Sequence, residues 1–480
     1  MERLKRAAGT EQLECASESL DLYSRPFMET SLDRCYTVEV NPLNSLASTS
    51  TSVTFVCQPS DDFTNLSESL VEVKMKLQTA AGGNLVAQDA ALSYATVNLP
   101  AACVFSALNF KIQGQLISDA YSTYNYLAFI QTLLSYTKNA NETRLRLAGY
   151  SFDRNPAATT AHAAATASAF KVRGGWFALS KECTFLTPIF HEMCSQRRLL
   201  IPHVELSFEF IRASPAFSII TNEPTSTMNL EITSMKLLLR RQKVISSIKL
   251  QLEKELELGQ ALYPLTQATV KPVRNLSLST TTTIKFFPYS STIHFPHFFS
   301  FQIFIDANEV NVTHENLFGG RPIPSFCAVM LTPQTNFRGT RATNPFTFPH
   351  HQLTSLRISI DGISYPSTSG FRPEYSSTTA PNWTREYLSL MNSTMKSNYA
   401  TEIDYDLYPT HYAIYCFNFG EPPGSEGADH VRPLRKGSAR LDAQFASDAA
   451  NVPLTMLVYF ENPAMLSISS NRTVTRDYIQ

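Results

Sequence analysis

The 480-residue sequence predicts an all-β protein made of two tandem eight-stranded jelly-roll β-sandwiches with short inserted helices. Three observations lead to this prediction. The chain contains 31 Phe and 20 Tyr but 2 Trp, and aromatic side chains suit the half-buried surface of a pleated sheet. Hydrophobic residues make up 43% and charged residues 17%, which allows a substantial core. Segments that alternate between apolar and polar residues recur in a similar order in the two halves.

The alternation identifies strands in the first half. Apolar residues occupy every second position in 71–77, 108–112 and 204–210. A period of two places one face of a strand inward and the other in water. The segment 108–112 ends at Gln113-Gly114, a pair typical of a hairpin turn.

Helical spacing appears in a few short segments. Apolar residues from Tyr124 to Leu134 lie three or four positions apart, which predicts a short amphipathic helix. The segment 248–260 fits either a helix or a strand, and its place in mid-chain suits a connector. The Ala/Thr-rich segment 157–169 is expected to form a surface loop.

The second half repeats this order. The alternating segment 356–360 ends at Asp361-Gly362 and follows its counterpart at 108–112 by 248 residues. An aromatic segment of helical character then follows in each half, at 124–127 and at 383–388. A strongly apolar strand comes late in each half, at 204–211 and 454–460. Such a repeat predicts two copies of one β domain, with an N-terminal arm at 1–30, a first jelly roll at 31–245, a connector at 246–262 and a second jelly roll at 263–480.

The usual signatures of catalysis are missing from the sequence. It contains no phosphate-binding Gly-x-x-x-x-Gly-Lys-Ser/Thr loop, no Gly-x-Ser-x-Gly elbow and no His-Glu-x-x-His helix. His294 and His297 flank a proline, so they cannot lie on a regular helix. His350 and His351 are adjacent and would point to opposite faces of a strand. We therefore predict no catalytic residue, no metal ligand and no cofactor, and we expect that the protein is not an enzyme.

Two binding alternatives stay open at this point. Glu402, Asp404 and Asp406 alternate as they would along one face of a strand, where they could bind calcium or the basic patch of a partner. Loop aromatics around Trp383 and in 371–375 could bind a carbohydrate, although such residues also fill contacts between subunits. Jelly rolls occur in capsid proteins, lectins and cupins, so the fold by itself does not decide between these functions.

Charge and targeting signals argue against several classes. The net charge is −1, so no overall field attracts nucleic acid. Residues 1–19 lack the apolar core of a signal peptide, and no segment reaches the length of a membrane helix. The eight scattered cysteines suggest reduced, mostly buried thiols. Without a signal peptide, the glycosylation sequons are expected to be accidental, and they begin at Asn65, Asn141, Asn275, Asn311, Asn382, Asn392 and Asn471.

Several short motifs occur in a fixed order. In the second half they are GQALYP at 259–264, NLFGGRPIP at 316–324, FRG at 337–339, NPFTF at 344–348, the strand at 356–366 and RTVTRDY at 472–478. VNPL at 40–43 and the helix at 124–134 belong to the first half. In this order the motifs resemble the major capsid proteins of Maverick/Polinton elements, adintoviruses and adomaviruses, which belong to the hexon-like double jelly-roll lineage. The resemblance covers roughly residues 30–480.

The resemblance implies a structural role. Two jelly rolls would stand side by side, and three chains would form a homotrimer with a pseudo-hexagonal outline in the icosahedral shell of a DNA virus. Neighbouring capsomers, penton proteins and minor capsid proteins would be its partners. The protein would be found in the virion and, during assembly, in the host nucleus. Loops facing outward could meet a host receptor or glycan, and the candidates are 145–175, 366–385 and 420–438.

Three other functions remain as alternatives. The chain could be a penton or other minor capsid protein, which normally needs one jelly roll. It could be a double jelly-roll enzyme dependent on a metal, or a carbohydrate-binding protein.

Overall fold

The structure is a computed structural model, and several segments of the chain are outside the part that it describes. The predicted arm, Cys15, Asn275, the His294/His297 pair and most of the Ala/Thr-rich loop fall outside. The described residues are 31–47, 50–88, 92–117, 122–154, 168–223, 225, 227–273, 304–305, 310–375, 382–393, 401–420, 435–446 and 452–478.

Antiparallel strands form the first half of the chain. They are β1 (Leu32–Val40), β2 (Ser52–Cys57), β3 (Phe63–Thr79), β4 (Tyr94–Thr96), β5 (Phe105–Ile112), β6 (Gln115–Leu116), β7 (Cys183–Pro188), β8 (Leu206–Arg212), β9 (Ile219–Thr221) and β10 (Met228–Val244). One sheet has the order β1-β10-β3-β7 and a second has the order β2-β8-β5-β6, with β4 and β9 paired separately. Their apolar faces share one core.

The second half has the same arrangement. Its strands are β11 (Ala261–Val273), β12 (Phe304–Ile305), β13 (Asn311–His314), β14 (Phe326–Pro333), β15 (Leu353–Ile360), β16 (Ile363–Tyr365), β17 (Tyr415–Asn418), β18 (Ala439–Phe445), β19 (Leu454–Ile468) and β20 (Val474–Tyr478). The sheet orders are β11-β19-β14-β17, with β12 and β20 also paired to β19, and β13-β18-β15-β16. Apart from β12 and β20, each of these strands has a counterpart in one of the two four-stranded sheets of the first half, so the predicted pair of tandem jelly rolls is confirmed.

Short helices connect the strands. They are α1 (Pro100–Cys103), α2 (Tyr124–Ser135), α3 (Lys138–Glu142), α4 (Ala169–Trp176), α5 (Pro215–Ser218), α6 (Ser246–Leu258), α7 (Gln334–Arg338), α8 (Thr384–Ser393) and α9 (Leu407–His411). The helices predicted after the two hairpins are confirmed as α2 and α8. The mid-chain segment, which fitted helix or strand, is the helix α6 between β10 and β11. Among the described helices, none has the length and apolar character needed to cross a membrane.

The two predicted hairpins have the same turn. Gln113 and Gly114 have φ of 51° and 77°, and Asp361 and Gly362 have φ of 49° and 85°. Positive φ at both central residues is the type I′ geometry, whose twist matches that of the flanking strands. The turns join β5 to β6 and β15 to β16 at equivalent positions of the two sandwiches.

The late apolar strands of the two halves, however, are not counterparts. The segment at 204–211 contains β8, whose position in the sheet corresponds to β18, whereas β19 corresponds to β10. Residues 454–460 are all buried, because this part of β19 is covered on both faces. A strand covered on both faces is apolar at nearly every position. The apolar run therefore reports burial and does not identify the strand's place in the fold.

Candidate functional site: the seam between the two sandwiches

The helix α2 of the first sandwich packs against the second. Tyr126 and Phe129 lie three residues apart and therefore share a helix face. Phe129 stacks on Phe346, with ring centroids 4.2 Å apart and an interplanar angle of 8°. Tyr126 lies nearly parallel to Phe337 at 5.4 Å. These two partners lie between β14 and β15, so the helix of one sandwich covers a loop of the other.

The sheet that contains β11 is covered on both faces beside this helix. Residues 267–272, 326–332 and 454–460 are buried at nearly every position. The hydroxyl of Thr123, just before α2, donates a hydrogen bond of 2.8 Å to the carbonyl of Val270 in β11. A sheet of this kind needs a second layer on its outer side. The helix α2 of the first sandwich contributes to that layer over the β11 sheet of the second sandwich.

A buried ion pair lies at the centre of the polar contacts across the seam. Arg173, which is 1% exposed, donates from Nη1 to Asp153 at 3.0 Å and from Nε to the carbonyl of Thr96 at 3.1 Å. From the second sandwich, Asn344 Nδ2 donates to the Asp153 carboxylate at 3.2 Å, and the hydroxyl of Tyr412 donates to the Asp153 carbonyl at 2.7 Å. Buried charges require partners of this kind. Asp153 is therefore bonded to both sandwiches.

A second ion pair attaches the last strand of the chain. Arg476 in β20 donates to Glu192 at 3.0 Å and also to the carbonyl of Ile117, both of which belong to the first half.

A cavity of about 40 Å³ lies near this pair, and Leu127 and Val270 are among the residues that line it. That volume holds one or two water molecules.

The two adjacent histidines lie in a turn and not on a strand, which corrects the sequence interpretation. His351 has φ of 45°, and β15 begins after it at Leu353. The ring of His350 stacks on Tyr375 at 4.0 Å, and its Nδ1 accepts a hydrogen bond of 2.9 Å from the Gln352 amide. Burial lowers the pKa of each histidine to about 4. These rings are therefore neutral packing elements at neutral pH.

Glu402, Asp404 and Asp406 do not lie on a strand, so the predicted acidic ladder is wrong. Residues 402–406 form an irregular segment that leads into α9. Glu402 is buried, whereas Asp404 is exposed and pairs with Arg154 at 2.5 Å. Burial, followed by the charge of Glu142, raises the pKa of Glu402 to about 7. In the described part of the chain, no three His, Cys, Asp or Glu side chains are placed to hold a metal ion.

The aromatic residues considered for carbohydrate binding pack on one another. Trp383 lies nearly parallel to Tyr375 at 5.9 Å and to Tyr405 at 5.4 Å. Its indole nitrogen donates to the carbonyl of Tyr405 at 3.2 Å. Phe371 is buried and packs edge-on against Phe417. These ring contacts stabilise the loop that precedes α8.

The cysteines and the asparagines of the glycosylation sequons differ in how far the fold buries them. Of the described cysteines, Cys35 is exposed, Cys183 is half-buried and the others are buried, and all of them are free thiols. The side chains of Asn65 and Asn141 are buried, so a glycan on either would not fit the folded chain. The described sequon asparagines that lie on the surface are Asn311, Asn382, Asn392 and Asn471.

The residues of the seam carry no signal that periodicity detects. Asp153 and Arg173 lie outside the strands, and their pairing depends on the tertiary fold. The motif NPFTF at 344–348 did contribute to the resemblance, and it supplies Asn344 and Phe346 to the seam. A cluster of aromatic residues in a loop was therefore the available clue.

Solved structures to which the chain is similar include viral capsid proteins and a virophage particle. The chain matches a structure of the Sputnik virophage with a TM-score of 0.57 and 12% identity, over 98% of this chain and 94% of that chain. It matches PBCV-1 VP54, as fitted into a reconstruction of Sputnik, with 0.56 and 11%, over 95% and 100%. The mavirus major capsid protein matches with 0.51 and 10%, over 98% and 96%. No protein-family model and no curated protein sequence matches the chain.

Proposed function

We propose that the chain is a structural major capsid protein, without enzymatic activity, that forms pseudo-hexagonal homotrimers in an icosahedral DNA-virus shell. The observation that carries the proposal is the pair of sandwiches with identical sheet order, joined through a largely apolar seam. The shared fold with capsid proteins supports it. A penton protein needs one jelly roll per chain, so the tandem arrangement favours a major capsid protein.

We propose the following division of the chain. Residues 31–245 and 263–480 would be the two jelly rolls, 246–262 the connector and 1–30 an N-terminal arm. The loops at 145–175, 366–385 and 420–438 would face outward. There they would be available to a host receptor or glycan, while penton and minor capsid proteins would meet the edges of the trimer.

A surface of the first sandwich that the described residues leave uncovered supports assembly with further copies. In the sheet order, β1 is the edge strand, and most of its residues are exposed. The outer face of β1, β10 and β3 carries partly exposed ion pairs, such as Lys236–Glu39 between β10 and β1 and Lys76–Glu231 between β3 and β10. A long exposed edge strand is a surface on which other chains can pair. The corresponding strand of the second sandwich, β11, is covered within the chain over 267–272.

Mass measurement combined with electron microscopy of the purified chain tests this function. We expect particles of three times 53.6 kDa with a hexagonal outline. A monomer that persists at all protein concentrations would contradict the proposal. A stoichiometric transition metal in the purified protein would instead favour the enzyme alternative.

A further inference from the structure

The described part of the chain leaves the helix α6, which connects the two sandwiches, almost uncovered. It has 13 residues, and Leu256 is the buried one among them. Leu250 and Leu258 are 55% and 87% exposed. Isolated helices of about 12–15 residues are marginal in water, and helices in proteins are stabilised mainly by packing an apolar face. Within the described residues, α6 lacks most of such packing.

The charges of α6 are also unfavourable at its C-terminal end. Glu253, Glu255 and Glu257 lie in its second half, and its last turn contains no basic residue. The C-terminus of a helix carries a partial negative charge, so carboxylates there are destabilising and cations are stabilising. The Lys249–Glu253 pair, at 4.0 Å, offsets little of this because both side chains are partly exposed. A partner that suits α6 must therefore bring both cations and apolar side chains.

We propose that residues 1–6 of the same chain dock on α6. Their sequence, MERLKR, combines the apolar Met1 and Leu4 with three cations against one carboxylate. Segment 1–30 joins the described chain beside the helix, because the Ile245 amide, one residue before α6, donates a hydrogen bond of 3.1 Å to the Ser31 carbonyl. The α6 of a second copy is a poorer partner, since it would bring further carboxylates.

The intervening chain has a suitable length. A random coil of about 24 residues, the number between residue 6 and Ser31, has a root-mean-square span of about 27 Å. The helix is about 20 Å long. When the span of a linker matches the distance between two sites, the effective concentration is in the millimolar range. A weak contact is then sufficient to keep the segment bound.

Disulfide trapping in the full-length protein tests the proposal. Leu4→Cys and Leu258→Cys are combined in a Cys15→Ser/Cys35→Ser background and oxidised mildly. We expect an intramolecular cross-link, with the mass of a monomer, at least fivefold more abundant than from the control pair Leu4→Cys and Leu43→Cys. Leu43 is 76% exposed, and it follows the end of β1 that is remote from α6. Equal yields from the two pairs, or a cross-link formed only between chains, would overturn the proposal.

A charge variant and hydrogen exchange provide independent readouts. Glu255→Gln/Glu257→Gln should lower the trapping yield to that of the control pair while the fold, followed by circular dichroism, is unchanged. Deletion of residues 2–30 should accelerate amide exchange in 247–258 several-fold but leave β3 unchanged. Exchange in α6 that is the same with and without the segment would contradict docking. None of these outcomes depends on whether the chain forms trimers.

Discussion

Phe129 and Phe346 are stacked face to face across the seam, although 217 residues separate them in the sequence. One ring belongs to the first helix after the β5-β6 hairpin, and the other belongs to the loop between β14 and β15. Both are buried. Aromatic pairs contribute about 0.5–1.5 kcal/mol beyond the area that they bury. This pair therefore couples the stability of one sandwich to that of the other.

Phe129→Ala should lower the free energy of unfolding by about 3–5 kcal/mol, because it removes a large buried side chain and leaves a cavity. Urea denaturation followed by tryptophan fluorescence measures the change. The conservative variant Phe129→Leu retains most of the volume and should cost less.

A double-mutant cycle isolates the contact between the two rings. Phe129→Ala and Phe346→Ala should be non-additive by about 1 kcal/mol, because the second substitution removes a partner that the first has already lost. Additive effects would show that the two rings contribute independently to the free energy of unfolding.

Arg173→Met should destabilise the protein by about 3–5 kcal/mol, since the Asp153 carboxylate would remain buried without its charged partner. Arg154→Met is the matched control. Its pair with Asp404 has side chains that are 59% and 52% exposed, and surface pairs contribute about 0–1 kcal/mol. Similar losses for the two variants would mean that the Asp153 pair is hydrated in solution.

Gly370→Ala should be more harmful than Gly114→Ala, as measured by thermal unfolding. Both glycines have positive φ, at 71° and 77°, so each substitution costs roughly 1 kcal/mol in backbone strain. A Cβ on Gly370 would also lie 2.7 Å from the carbonyl oxygen of Leu356, whereas one on Gly114 would meet open space. That oxygen accepts a hydrogen bond from the Phe371 amide, so the clash would disrupt this pairing. Equal losses of thermal stability in the two variants would show that the loop at Gly370 relaxes to make room for the Cβ.

The local elements were predictable because short-range chemistry determines them. The alternation at 71–77 placed Val73 and Met75 in the core and Glu72 on the outer face, as observed in β3. The pairs Gln113-Gly114 and Asp361-Gly362 both mark type I′ turns. Such signals need only neighbouring residues, and the shared order of strand, turn and helix, together with the 248-residue spacing between the two hairpins, predicted the tandem fold.

The candidate site was less predictable because it depends on contacts between residues that are distant in the sequence. The alternation of Glu402, Asp404 and Asp406 is typical of a strand, yet these residues lie in a loop. There the tertiary environment buries the first and exposes the second. The pairing of Asp153 with Asn344 likewise joins loops far apart in the chain. No period in the sequence encodes either arrangement.

Glu402→Gln should stabilise the protein at pH 8 by about 1 kcal/mol and have little effect at acidic pH. Burial raises the pKa of this carboxyl to about 7, and its Oε2 atom is buried without a hydrogen-bond partner among the described residues. The folded state therefore holds the proton to a higher pH than the unfolded state does. Stability then falls as the pH rises from the usual carboxyl range through about 7.

The neutral glutamine avoids this loss because it has no proton to release. Melting temperatures of the two proteins between pH 4.5 and pH 8 measure the effect, and the advantage of Glu402→Gln should grow from pH 4.5 to about pH 7 and then level off. Asp404→Asn is the control, since the Asp404 carboxylate is exposed and should produce no comparable trend. A constant difference between Glu402→Gln and the parent protein across the pH range would show that Glu402 is ionised and hydrated in the folded state.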